Sequence, residues 1–121
     1  MAKRLFKRRS RLLDASAYSR VFKEAKRSRD RMFTVLYKEN GEQEARLGMA
    51  ISKKHCRLAV RRNRLKRVVR ESFRHHCADL KGLDVVVLNQ LGAMRAGNQA
   101  LFDSLHQHWQ RCRSTQASEV G

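Results

Sequence analysis

The segment RRNRLKRVVRESFRHHC, residues Arg61–Cys77, decides how this chain can fold. At about 100° per residue, a helix through it is largely apolar on one side and cationic on the other. The apolar side carries Leu65, Val68, Val69, Ser72, Phe73 and His76. The cationic side carries Asn63, Lys66, Arg67, Arg70 and Arg74. The pattern predicts an amphipathic helix that packs one face on a core and presents the other to a partner.

The charges on this predicted helix destabilise it unless a polyanion binds to them. Two like-charged pairs, Lys66 with Arg70 and Arg70 with Arg74, stand four residues apart. Each pair destabilises an isolated helix by about 0.2–0.5 kcal/mol. Further arginines crowd the first turn, where the helix dipole disfavours cations. A solvated face normally mixes signs, and here Glu71 alone offsets the arginines, so we favour contact with RNA or DNA over simple solvation.

The composition of the whole chain supports the same partner. The 121 residues include 28 Lys and Arg against 11 Asp and Glu, for a net charge of +17. A body this basic repels itself unless a polyanion or counterions compensate. Nucleic acid is preferred over an acidic membrane surface or an acidic protein, because each neutralised phosphate releases condensed counterions. The length and the 41% hydrophobic share predict one domain over residues 1–121 with one modest core.

The cysteines and the chain ends predict a cytoplasmic protein. Cys56, Cys77 and Cys112 form no CxxC pair, which argues against a disulfide framework or a zinc knuckle and for a reducing compartment. No apolar run is long enough to span a membrane, and we expect no membrane partner. Residues 1–11, MAKRLFKRRSR, are expected to form a basic arm.

The segments before the basic helix predict a helix and a hairpin. Asp14 is a suitable N-cap for a short helix that ends near Ala25. Met32–Tyr37, MFTVLY, is rich in β-branched and aromatic residues and predicts a strand. After a turn around Asn40, Arg46–Ser52 is expected to return as the hairpin partner of that strand.

The segments after the basic helix predict a strand and a helix. Asp84–Leu88 is a nearly continuous apolar run, typical of a strand buried on both faces. The last helix is expected from Asn98, with an apolar stripe formed by Leu101, Phe102, Leu105, Trp109 and Cys112. Residues 114–121 are predicted to be a disordered tail. The fold class is therefore α+β, with helices packed on a small mixed sheet in the order α-β-β-(β)-α-β-α.

Two motifs in this order resemble the protein subunit of bacterial ribonuclease P. RLGMAISKK, Arg46–Lys54, is followed after a short basic loop by RNRLKR, Arg62–Arg67. The family signature is an RNR helix that follows a strand ending in Lys-Lys. The resemblance begins at the basic start KRRSRL, Lys7–Leu12, continues to the strand at Val85–Val87, and covers about residues 4 to 112.

The resemblance implies a fold detail and a division of labour. The family has a left-handed βαβ crossover around the RNR helix, whereas general rules predict a right-handed one. The catalyst in this family is a partner RNA with bound Mg²⁺, which removes the 5′ leader from precursor tRNA. We expect no catalytic residue in this chain, because its sequence offers no carboxylate pair, nucleophile–base set or phosphate-cradling glycine loop. His108 and Cys112 stand four apart on one helix, but two ligands do not predict a zinc site.

The family's binding residues carry over by motif match. Those expected to meet the catalytic RNA, or nearby precursor phosphates, are Arg62, Asn63, Arg64, Lys66, Arg67, Arg70 and Arg74. Those expected to line a cleft for the single-stranded leader are Tyr18, Phe22, Lys53, Lys54 and Arg46. By helical spacing alone, Tyr18 and Phe22 are better explained as core residues, and only the resemblance makes a role in the cleft about equally credible. The chain departs from the family at Tyr18, where many members have Phe, and in the His55–Val60 loop, which lacks a common Gly-Asn.

Other functions remain open from the sequence. A structural ribosomal protein or a general RNA chaperone would share the charge without needing a leader cleft. A DNA-binding regulator would place the basic helix in a major groove. A nuclease made of protein alone would cleave without any RNA partner.

Overall fold

Most strands and helices of this chain lie where the sequence predicts them. The structure adds one strand before the first predicted strand and extends the last helix. The structure, a computed structural model, describes residues 25–41 and 43–120. Its elements are β1 (Lys26–Arg29), β2 (Phe33–Glu39), β3 (Arg46–Ala50), α1 (Ala59–His76), β4 (Leu83–Asn89) and α2 (Asn98–Val120). Short 3₁₀ helices follow α1 at Cys77–Leu80 and β4 at Leu91–Met94. The basic arm and nearly all of the helix predicted from Asp14 to Ala25 lie outside the described residues.

The four strands form one mixed sheet in the order β1-β2-β4-β3. β2 pairs antiparallel with β1 on one side and with β4 on the other. β3 pairs parallel with β4, with Arg46 beside Asp84 and Ala50 beside Leu88. The α+β class with a mixed sheet is confirmed, and α1 is the crossover helix between the parallel strands β3 and β4. The left hand of that crossover stays a prediction.

The predicted hairpin between Met32–Tyr37 and Arg46–Ser52 is wrong. β4 lies between β2 and β3 and pairs with both, so those two strands are not neighbours. The reason is the apolar run Val85–Val87, whose three side chains are fully buried. A strand that is apolar on both faces is stable in the middle of a sheet, with a neighbour on each edge. β1 was not predicted as a strand because its sequence, KRSR, has no apolar alternation.

The apolar side of α1 packs as the helical wheel predicts. Leu65, Val68, Val69, Ser72 and Phe73 are buried, whereas His76 is half-buried. The Phe73 ring meets the Trp109 ring of α2 edge to face, with centroids 6.1 Å apart. The Trp109 indole donates a 2.8 Å hydrogen bond to the Ser72 hydroxyl, which satisfies both buried polar groups. These contacts fix the rotation of α1 and turn its cationic side outward.

The helix ends differ from the predictions. α1 begins at Ala59, slightly before the predicted Arg61. α2 begins at Asn98 as predicted but continues to Val120, so the predicted disordered tail from Ser114 is helical over most of its length. Neither proline nor glycine occurs between Asn98 and Val120 to end the helix earlier. Among the described residues, no helix combines the length and the apolarity that a bilayer crossing requires.

A buried polar cluster joins β1 to α2. His108 is fully buried, and its Nδ1 lies 2.6 Å from the Ser28 hydroxyl, which also accepts a 3.0 Å hydrogen bond from Arg111. His108 Nε2 lies 3.2 Å from Asp30 Oδ2 but forms no hydrogen bond there. Asp30 is held by the Ser104 hydroxyl at 2.6 Å. Burial lowers the pKa of His108 and Arg111 lowers it further, against an opposing effect of the Asp30 carboxylate.

Because the pKa of His108 is lowered in the folded state, we expect this residue to make stability depend on pH. As the pH falls through about 6.5, the unfolded state takes up the proton more readily, so the free energy of unfolding decreases. Burial alone would raise the pKa of Asp30, but hydrogen bonds from Ser104 and from the N–H groups of Phe33 and Met32 lower it overall. The contribution of Asp30 is therefore lost only at still lower pH, below about 3.8.

Thermal melting between pH 7 and pH 5 tests this prediction. The melting temperature of the wild type should fall across that window, and His108→Gln should flatten the dependence. The matched control is His75→Gln, which removes a histidine that is 60% exposed. An equal slope for the wild type and His108→Gln would show that His108 is not the group responsible.

Candidate nucleic-acid interface

The outward side of α1 forms a cationic ridge, defined here as Asn63, Lys66, Arg67 and Arg70. Asn63 and Arg67 are exposed, and Lys66 and Arg70 are half-buried. None of the three cations forms an ion pair with another residue in the described ranges. Their full charges are therefore available to an external anion.

Arg74 lies at the C-terminal end of the same helix but has an internal partner. It forms an ion pair with Glu71, which also lies 2.9 Å from His75. These two hydrogen bonds, from Arg74 first and then from His75, lower the pKa of the Glu71 carboxyl. The carboxylate offsets the charge at this end, so the unpaired part of the ridge stops at Arg70.

The N-terminal turn of α1 is electropositive for a second reason. Leu58 occupies the N-cap without a side-chain hydrogen bond, and the first turn contains no acidic residue. The positive end of the helix dipole is thus left without a carboxylate. Arg62 turns back from this region and donates to the carbonyls of Cys56 and Arg57, at 3.0 and 2.8 Å. Its guanidinium fixes the loop before the helix, which the sequence did not indicate.

Arg64 also has an internal role. Its guanidinium donates to the carbonyl of Ala96 at 2.9 Å and to Asn98 Oδ1 at 3.1 Å. These bonds attach the segment between β4 and α2 to the first turns of α1. Between that segment and the helix lies an open groove of about 930 Å³, here called the α1 groove. Its wall opposite the helix is Met94–Ala96.

The segment that forms this wall is also in close backbone contact with the connection between β1 and β2. The Gly92 N–H donates a 3.0 Å hydrogen bond to the carbonyl of Arg31, in the connection between β1 and β2. A Cβ atom at Gly92 would lie 2.5 Å from that same oxygen. Glycine is therefore required by the close approach of two backbone segments.

We expect Gly92→Ala to destabilise the protein and to displace the groove wall. The added methyl meets backbone, which cannot rotate away, so the cost should be about 1–3 kcal/mol. Chemical denaturation measures this cost. Gly97→Ala is the matched control, because a Cβ there has no neighbour within 4 Å, and its effect should stay within about 1 kcal/mol. Equal stability of the two variants would contradict the close contact.

The Lys53–Lys54 turn is held by residues that the sequence did not single out. The buried Asn89 side chain, at the end of β4, accepts a 2.7 Å hydrogen bond from the Ser52 N–H. The Ser52 hydroxyl in turn accepts the N–H of Lys54 at 3.0 Å. Both lysines are exposed, so the turn presents two charges at the end of the sheet.

Arg46, predicted to line the leader cleft, is paired inside the protein. Its Nε and Nη2 atoms donate to the two carboxylate oxygens of Asp84, at 2.7 and 2.8 Å. Asp84 also accepts a 2.9 Å hydrogen bond from Asn40. The geometry is the bidentate fork that arginine forms with a carboxylate. The guanidinium therefore balances a buried charge in the central strand.

The predicted site residues thus divide into three groups. The ridge on α1 and the exposed lysine turn are available to a partner, whereas Arg46, Arg62, Arg64 and Arg74 have partners within the protein. Tyr18 and Phe22 lie outside the described residues. The groove wall was missed altogether, because Met94–Ala96 belongs to no recognisable motif.

The chemistry of the other candidate groups is limited by burial. The Cys112 thiol is fully buried, which raises its pKa to about 12 and keeps it protonated. His108 faces Ser28 and Asp30, as described above. Within the part of the chain that the structure describes, no group of three or more His, Cys, Asp or Glu residues could hold a metal ion.

Comparison with known proteins gives one consistent family. The family model described as Ribonuclease P matches residues 6–113. The ribonuclease P protein component of Nitrosococcus oceani is 44% identical over 104 residues, which cover 86% of this chain and 87% of that protein. The protein component of Yersinia enterocolitica is 40% identical over 119 residues, or 98% of this chain and all of that one.

A solved structure agrees with these relatives. The RNase P protein from Thermotoga maritima superposes with a TM-score of 0.75 at 33% identity, covering 84% of this chain and 96% of that chain. The sequence matches span nearly the whole chain, and the structural match covers more than four fifths of it. The chain therefore belongs to the ribonuclease P protein family, as a protein component of this ribonucleoprotein in the maturation of tRNA 5′ ends.

Proposed function

We propose that this chain binds the catalytic RNA of ribonuclease P through the ridge on α1 and so supports removal of the 5′ leader from precursor tRNA by that RNA. The observation that carries the proposal is the row of unpaired cations at Lys66, Arg67 and Arg70, on a helix whose other face is locked into the core. Cations presented close together on one side of a well-packed helix suit the closely spaced phosphates of a folded RNA.

The proposal leaves bond cleavage to the RNA. A Ser28–His108–Asp30 arrangement exists, but His108 is fully buried and the Ser28 side chain is nearly so. A precursor phosphate could not reach that hydroxyl without unfolding the β1–α2 contact. On the ground of the family resemblance, we assign the magnesium ions of the reaction to the RNA subunit.

Leader binding is proposed for the exposed lysines of the Lys53–Lys54 turn. A single-stranded leader presents phosphates to such charges and unpaired bases to aromatic rings. Tyr18 and Phe22 would supply those rings, on the ground of the family resemblance. We do not assign a direct leader contact to Arg46, because its guanidinium is paired with Asp84.

Reconstitution tests the function directly. Precursor tRNA is incubated at low Mg²⁺ with the chain alone, with ribonuclease P RNA alone, and with both together. We expect cleavage at the 5′ end of the mature tRNA with both components and no cleavage by the chain alone. Restored cleavage would exclude a ribosomal protein or a general chaperone, provided that an unrelated basic protein of similar charge does not restore it. Cleavage by the chain without RNA would overturn the proposal.

A further inference from the structure

The α1 groove shares Asn63 and Arg67 with the ridge but differs from it in character. Its volume of about 930 Å³ lies within the range of about 300–1,000 Å³ that ligand sites occupy. The groove is lined on the helix side by Val60, Asn63 and Arg67, and on the other side by Met94 and Ala96. A phosphate-binding ridge needs charge alone, whereas this groove combines charge with an apolar surface.

One residue of the apolar part is exposed to an unusual degree, whereas Met94 and Ala96 are partly buried against the core. Val60 is 72% exposed although it stands on the first turn of a well-packed helix. A single exposed valine on a convex surface would call for no explanation. Here the side chain faces a concavity together with Met94 and Ala96, which gives an occupant apolar surface to bury.

The polar residues of the groove favour a ligand that is anionic and also has hydrogen-bond donors and acceptors. Arg61, Arg67 and Arg95 are exposed and line the groove, and no carboxylate lines it. Asn63 adds an exposed amide that can both donate and accept. A nucleotide matches this combination, because its base has an apolar face and polar edges and its phosphate is anionic.

The shape of the groove is preformed. Arg64 attaches its wall to α1 through Ala96 and Asn98, and the Gly92 backbone contact supports the wall from the other side. An occupant therefore does not have to order the wall when it binds, and a preformed site loses less free energy on binding.

We propose that the α1 groove binds one unpaired nucleotide of the catalytic RNA. Its base packs on Val60 and Met94 with an edge toward Asn63, and its phosphates lie between Arg61 and Arg95. A nucleotide within a duplex cannot fill the groove, because its base is stacked and paired. This inference rests on the proposed function, since it takes the occupant from the same RNA that contacts the ridge.

The test separates apolar from electrostatic binding. The dissociation constant for ribonuclease P RNA is measured against salt concentration for the wild type, the double variant Val60→Ser with Met94→Gln, and Leu58→Ser. Leu58 is the matched control, because it is 56% exposed at the same helix end and does not line the groove. The double variant should bind roughly fivefold to tenfold more weakly at every salt concentration, with an unchanged salt slope. Leu58→Ser should bind as the wild type does.

Chemical probing of the RNA bases gives a second readout. We expect the wild type to protect one unpaired base that stays reactive with the double variant, while protection along the ridge persists. Unchanged RNA binding by the double variant would overturn the inference. An equal loss of RNA affinity in Leu58→Ser would overturn it as well. The proposed function fails separately, if replacement of Lys66 and Arg70, the two ridge cations that do not line the groove, also leaves binding unchanged.

Discussion

Replacement of Arg67 and Arg70 together by Ala is expected to weaken binding of the catalytic RNA and to flatten its dependence on salt. Both side chains lie on the outward face of α1 without an ion-pair partner among the described residues. Each lost phosphate contact should reduce the slope of log K against log salt by roughly 0.7–0.9. For two contacts, that slope corresponds to a loss of roughly 25- to 60-fold at 0.1 M salt.

The apolar side of α1 is unchanged in this double variant, so the protein should still fold. Melting curves check this, and removal of the like-charge neighbours can even raise the melting temperature slightly. Arg113→Ala on α2 is the control for loss of one charge, because Arg113 is 55% exposed and reaches Asp79 only at 4.0 Å. Its effect on the slope should be smaller than that of Arg67→Ala alone. Identical slopes for the wild type, the double variant and both single variants would mean that the ridge faces solvent in the complex.

Local patterns predicted the parts of the structure that depend on neighbours in the sequence. The helical period fixed which side of α1 is buried, because Leu65, Val69 and Phe73 fall on one side whatever the helix packs against. The apolar run Val85–Val87 likewise indicated a strand covered on both faces. The sequence pattern did not predict which strands would pair with β4. Its pairing with both β2 and β3 depends on contacts between segments that are distant in the sequence.

The roles of individual arginines were beyond the sequence for the same reason. Arg62, Arg64 and Arg67 are indistinguishable as letters in one basic run. Arg62 and Arg64 find backbone carbonyls on the adjoining segments, whereas Arg67 faces outward. The carbonyls they reach belong to loops whose positions follow only from the complete fold. The α1 groove was hidden in the same way, since its wall comes from a segment that carries no motif.

Arg46→Ala is expected to cost about 3 kcal/mol of folding stability. Asp84 lies in the central strand with its side chain 9% exposed, and Arg46, directly beside it in β3, supplies both hydrogen bonds of the fork. Removal of the guanidinium leaves a buried carboxylate with Asn40 as its remaining described side-chain donor. Breaking a buried pair costs about 3–5 kcal/mol, and the 27% exposure of Arg46 places this one at the lower end. The melting temperature should fall by roughly 10 °C or more.

A double-mutant cycle distinguishes this role from leader binding. Asp84→Asn removes the charge that needs a counterion, so Arg46→Ala combined with Asp84→Asn should be more stable than Arg46→Ala alone. Arg46→Lys keeps the charge but loses the fork and should lie between the wild type and Arg46→Ala. A leader contact predicts the opposite pattern, with normal stability of Arg46→Ala, weaker binding of precursor tRNA with a long leader, and no rescue by Asp84→Asn. Since both oxygens of Asp84 are engaged by Arg46, we expect stability to be the property that responds.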